Sequence, residues 1–144
     1  MAGVNELINR LERFSSGEVY QRIGNAVANA AHAACIAGFR SQSDPYGVPW
    51  APRKKVTGWA AVRFGHVDNG HPILDDTGAM INSLTSRYSR GVVLMRIKGY
   101  AQFHQTGTRS MVARKIFPEQ AQGLGTWADP IQRAATDAVR ELMK

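Results

Sequence analysis

One stretch limits the fold more than any other. From Glu18 to Phe39 no proline interrupts the chain, and Val19, Ile23, Val27, Ala30, Ala34 and Ala37 recur at the period of one helical face. The spacing predicts a single helix about 33 Å long. Ser15-Ser16-Gly17-Glu18 precedes it, with Ser15 and Glu18 spaced as a capping box. The middle of the stretch, AVANAAHAAC, carries small side chains, so a second element can approach closely. His32 reads there as a packing or capping residue, because no second metal ligand lies one turn away. Cys35, the single cysteine, can form no internal disulfide and reads as a small buried residue, a usage that fits a reducing cytoplasm.

The remaining segments are shorter. Val4, Leu7, Ile8 and Leu11 mark a brief helix ahead of the long one. SDPYGVPWAPRKK holds too many prolines for a helix or a central strand, and Asp44-Pro45-Tyr46-Gly47 reads as a turn. Trp50 then lies as an apolar lid over the domain, with a subunit-interface anchor as the alternative. Residues 56–73 offer two short β-like runs, WAAVRF and GHV. Asp76 or Thr77 can cap a short helix through Met80, Ile81 and Leu84. SRYSRGVVLMRIKG reads as a hairpin turning at Arg90-Gly91, which places Arg96 and Lys98 on one face with Val92 and Leu94. YAQFHQ makes one or two helical turns stopped by Gly107. Thr126 to Asp129 caps a last helix, whose inner stripe is Trp127, Ile131, Ala134, Ala135, Ala138 and Leu142. The expected architecture is a single α+β domain over residues 1–144. A long N-terminal helix and a C-terminal helix pack on a small antiparallel sheet, and an extended loop follows residue 107.

Charge narrows the function. The net charge is +7, and it is not spread evenly. Between residues 86 and 115, Arg87, Arg90, Arg96, Lys98, Arg109, Arg114 and Lys115 stand against no Asp or Glu. Such a block implies an acidic partner surface or nucleic acid. No targeting segment and no membrane-spanning run of apolar residues is visible. A Walker loop, a GxSxG elbow and zinc-spaced Cys/His pairs are also missing from the sequence.

Three function classes compete. A metal-dependent hydrolase would need His66, His71, Asp75, Asp76 and His104 to converge, and H-x4-H-x3-D-D is no coordination spacing with a known mechanism. Acids at a helix start explain Asp75-Asp76 without catalysis. Non-specific DNA binding fits the basic block, but no recognition-helix, RNP or zinc-finger pattern accompanies it. A structural protein fits best. Residues 107–113, if extended, span roughly 20–25 Å and could lie on a neighbour.

Three segments occur in a telling order: DPYGVPWAPRK, then ILDDTGAMINSL, then YAQFHQTG followed by ARKIFP. Between about Asp44 and Pro118 the chain resembles the virion-morphogenesis, or tail-completion, family of Mu-like and P2-like tailed phages. The pattern departs at Ala79-Met80 and at Lys115-Ile116. The resemblance implies a structural, non-enzymatic protein without cofactor. It would act as a homo-oligomeric ring, commonly a hexamer, at the head–tail junction. Its partners would be the tail tube and a head–tail connector, with genomic DNA passing through the lumen and no membrane. A head-side connector touching the portal is the alternative within that class. On this expectation Tyr100, Phe103 and His104 anchor a short helix on the sheet, and Gly107 releases the chain. Arg109, Arg114 and Lys115 then meet acidic surface on a neighbouring subunit or the tail tube, while Arg96 and Lys98 line the lumen or an interface.

Overall fold

The protein was analysed as a computed structural model, which describes residues 8, 9, 12, 15, 17–52, 72–74 and 77–144. The short helix before residue 15 and the β-like runs of 56–73 fall largely outside those residues. Helix α1, Gly17–Ser41, is the spine of the fold, about 37 Å long. Its buried line is Val19, Gly24, Ala28, Ala31, Cys35 and Phe39. That line is rotated one position from the stripe of Val27, Ala30 and Ala37 that hydropathy predicts. The reason is steric: close packing selects the smallest side chains, and Gly24 sits so tightly under the Tyr88 ring that a Cβ there would overlap it. Ser15 is itself helical and its hydroxyl donates back to the Glu12 carbonyl (2.8 Å), so it forms no capping box.

The element laid on that line is a β-hairpin. Strand β1, Thr85–Ser89, pairs antiparallel with β2, Val92–Arg96. Arg90 (φ 50°) and Gly91 (φ 81°) both take positive φ at the turn, as a two-residue loop of type I′ requires. Among the described residues these are the two strands of the sheet. A lone hairpin is marginal in water; here Tyr88 covers Gly24, and Ser86 Oγ donates to the Ala28 carbonyl (2.9 Å). The expected helix through Met80 and Leu84 shrinks to a 3-10 turn, Ile81–Ser83. Thr77 does not cap it; its hydroxyl accepts from the Ala79 N–H instead.

Helix α2, Ala101–Thr106, follows the hairpin, and α3, Ala128–Leu142, packs on α1. The half-buried side chains of α3 are Ile131, Ala134, Ala135, Ala138 and Leu142, the expected stripe, with Ala128 and Val139 added. Thr126 does not cap α3. Its N–H and hydroxyl both donate to the Pro45 carbonyl (2.7 and 2.9 Å), which ties the start of α3 to the Asp44–Gly47 turn. The core gathers Ala31, Cys35, Phe39, Trp50, Met80, Leu84, Ala101, Ile116 and Trp127. Phe39 meets Trp50 edge-on at 5.5 Å, and Phe117 meets Trp127 edge-on at 6.4 Å. This is the α+β arrangement of one long helix, one C-terminal helix and a small antiparallel sheet.

Candidate assembly surface

Irregular backbone has no ladder to satisfy its polar groups, so side chains must do so. In the Asp44–Gly47 turn, Asp44 Oδ1 accepts from the N–H of Tyr46 (2.8 Å) and Val48 (2.9 Å). Gln42 leaves α1 at φ 55°, donates to the Phe39 carbonyl, and clamps both the N–H and the carbonyl of Ile73. Gln105 does the same on α2: its Oε1 accepts from Ile116 N–H (2.7 Å) and Phe117 N–H (2.9 Å), and its Nε2 donates to the Phe117 carbonyl (2.8 Å). Trp50 is buried and its Nε1–H donates to the Lys115 carbonyl (3.0 Å). The turn, the 72–74 segment and the 114–118 segment are therefore stitched into one clasp.

Two members of the basic block belong to that clasp and not to an arm. Arg114 is 7% exposed, and its guanidinium donates to the carbonyls of Ala51 (2.8 Å) and Pro52 (3.1 Å). Lys115 pairs with Glu119 (2.9 Å) and lies over the Tyr46 ring at 5.7 Å. Its hydrogen bond to Glu119 is the main reason its pKa sits above the usual value.

The segment between Gly107 and Ala113 is likewise not an extended arm. Thr108 and Met111 exchange backbone hydrogen bonds (2.9 and 3.3 Å), and Arg114 N–H returns to the His104 carbonyl (2.6 Å). Gly107 (φ 74°) lets this loop close, since a Cβ would stand 2.9 Å from Ala113 N and 3.0 Å from the Met111 carbonyl. Its role is close approach, not release. Arg109 rides exposed on the closed loop.

Tyr100 and Phe103 do not anchor α2, being 42% and 49% exposed; Ala101 is its buried residue and Gln105 its tether. His104 is half-buried, with Nδ1 enclosed and without a hydrogen-bond partner. Burial first, and the Arg114 charge second, lower its pKa.

The hairpin's outward face holds the rest of the charge. Register places Arg87 opposite Leu94 and Thr85 opposite Arg96, with Val92 at the end of the same face. All five are exposed, and Lys98 continues the line beyond β2. No ion pair or hydrogen bond among the described residues engages the side chains of Arg87, Arg96, Lys98 or Arg109. Among the described residues no group of His, Cys, Asp and Glu is placed to hold a metal ion. His66, His71, Asp75 and Asp76 lie outside those residues. Among the described residues no helix is long and apolar enough to cross a membrane.

A profile of the phage virion morphogenesis family matches residues 2–143. The chain belongs to the phage virion morphogenesis family. Characterised proteins and solved structures yield no match to it. Its role is therefore in building the phage particle. Within this virion morphogenesis protein, residues 44–52, Ile73, Gln105 and residues 114–118 of the segments that carry the resemblance form the clasp, and the hairpin face with exposed Tyr100 and Phe103 is among the surface left open. Sequence reasoning missed Gln42 and Gln105, which carry no periodic signal. Arg87 and Leu94 were legible through strand alternation once a register was known.

Proposed function

We propose that this protein is a structural component that completes the phage tail and joins it to the head, working as a homo-oligomeric ring and not as an enzyme. The match of the virion morphogenesis family to residues 2–143 carries the reading. The surface supports it: Val92, Leu94, Tyr100, Phe103 and Val112 are large apolar residues that a single copy leaves exposed. Apolar surface of that kind suits contact with other protein. Weak contacts repeated around a ring add through effective concentration, so no single patch has to bind tightly.

Electron microscopy of a lysate from phage lacking this gene tests the proposal. Overlong tails, or complete heads and tails left unjoined, are the expected defects; the first marks a tail terminator and the second a joining protein. A connector on the portal side would leave heads unable to retain DNA while tails remain normal. Intact, joined particles that fail only in DNA handling would overturn the ring reading.

A further inference from the structure

We infer that the outward face of the β1–β2 hairpin is the docking surface of this protein, and that it fits an acidic protein surface with an apolar centre on another virion component. The inference rests on the virion-morphogenesis reading and goes beyond it by naming the face and the chemistry of its partner. Four observations carry it. Register and exposure put Arg87, Leu94, Arg96 and Val92 on one face, with Lys98 next in line. Val92 is 54% exposed and Leu94 37%, so aliphatic surface stands open between the cations. Among the described residues those cations have no ion-pair or hydrogen-bond partner. The face is also rigidly backed, because Tyr88 seats on Gly24 and Ser86 bonds the Ala28 carbonyl.

The mixture of groups decides among occupants. A DNA backbone rewards cations facing phosphates and gains nothing from exposed valine and leucine. A protein partner gains from both, since interfaces place apolar groups at the centre and charge at the rim. A second copy meeting this face through a two-fold axis would set Arg87, Arg96 and Lys98 against themselves, and a ring neighbour meeting it head-to-tail would have to present acid from a different part of a basic chain. The chain as a whole carries a net charge of +7, so a second copy is a like-charged partner, and an acidic counter-surface is better supplied by a different protein.

The hairpin face is about 17 Å long and about 10 Å wide, roughly 170 Å², well short of the roughly 800 Å² per partner that a stable one-to-one complex needs. Repetition around a ring resolves that shortfall.

The test uses the full-length chain, Arg87→Glu/Arg96→Glu, and Leu94→Asn. The probes are nuclease-treated heads and tails purified from phage lacking the gene, and a short DNA duplex. Sedimentation with particles and fluorescence anisotropy with DNA are the readouts, and circular dichroism melts confirm that each variant folds. The wild-type chain is expected to bind one particle fraction in a salt-sensitive manner. Each variant should lose at least about tenfold of that binding, and Leu94→Asn should leave DNA binding unchanged.

Equal particle binding by wild type and variants would overturn the inference, as would failure of the wild type to bind either fraction. A charge-reversed variant that loses particles and DNA alike, beside an unaffected Leu94→Asn, would assign the face to DNA. Self-association of the wild type that charge reversal abolishes would assign it to a second copy. Morphology of the deletion lysate is independent of all these outcomes, so failure of this inference is distinguishable from failure of the tail-completion reading.

Discussion

Replacing Gln105 with alanine removes three hydrogen bonds at once, those to Ile116 N–H, Phe117 N–H and the Phe117 carbonyl, all between 2.7 and 2.9 Å. The groups left behind are half-buried, and Ile116 beside them is buried in the core. A hydrogen bond contributes about 1 kcal/mol net, and a buried group left unpaired costs about 1–3 kcal/mol. Partial access to water holds the sum toward the lower end, about 2–4 kcal/mol. For a chain of 144 residues each kcal/mol moves the melting temperature by about 3 °C, so a drop of about 6–12 °C is expected. Thermal melts followed by circular dichroism measure it. Gln105→Glu is the informative companion, because a carboxylate still accepts both N–H groups but turns an oxygen on the Phe117 carbonyl in place of a donor; it should recover only part of the lost stability, and more of it as pH falls and the carboxyl gains a proton to donate. If Gln105→Ala melts within about 2 °C of the parent, the 114–118 segment is not held by this clasp. The segment then behaves as a free arm.

Gly24→Ala should destabilise by about 1–3 kcal/mol through overpacking against Tyr88, although alanine favours the helix. In a Tyr88→Ala background the same change should be neutral or stabilising, and urea midpoints of the four proteins decide. Burial pushes the Cys35 thiol up to about 12, so a thiol reagent at pH 8 should react slowly with the native protein and fully in urea. His104 titrates below its usual value because burial, and then the Arg114 charge, disfavour its cation. The unfolded chain therefore binds the extra proton first. The stability linked to His104 is complete above about pH 6.5 and is lost as pH falls through the lower folded-state value. His104→Gln should flatten the decline in urea midpoint between pH 7 and pH 5; an unchanged slope would reject the assignment.

The sequence revealed elements well and their contacts poorly. The hairpin was legible because Arg90-Gly91 requires a turn and the flanking residues alternate. The long helix was legible because nothing breaks its period. The buried face of α1 was misread because hydropathy ranks Ile23 and Val27 above Gly24 and Ala28, while close packing against Tyr88 selects the smaller pair. The arm expected after residue 107 rests on charge, Gly107, a polar run short of core residues and the family resemblance. None of these distinguishes a glycine that frees a chain from one that lets two backbones touch. Arg114 was grouped with its basic neighbours because sequence spacing does not reveal that the Ala51 and Pro52 carbonyls point at it.

These contacts divide the molecule into two kinds of residue with separable effects. Asp44, Trp50, Gln105 and Arg114 lie in the segments that carry the family resemblance, and each bonds backbone that no strand or helix satisfies. Their loss should lower the amount of folded protein, whatever the protein docks onto. Among the described residues the side chains of Arg87, Leu94 and Arg96 satisfy no other group, and they stand on a hairpin rigidly seated on α1. Substituting them should leave the fold within about 0.5 kcal/mol of its original stability, and any defect should appear only when particles assemble. A docking surface held to a fixed geometry needs supporting groups that take no part in docking. On that division, the motifs that identify the family secure the platform, and the hairpin's own side chains choose the partner.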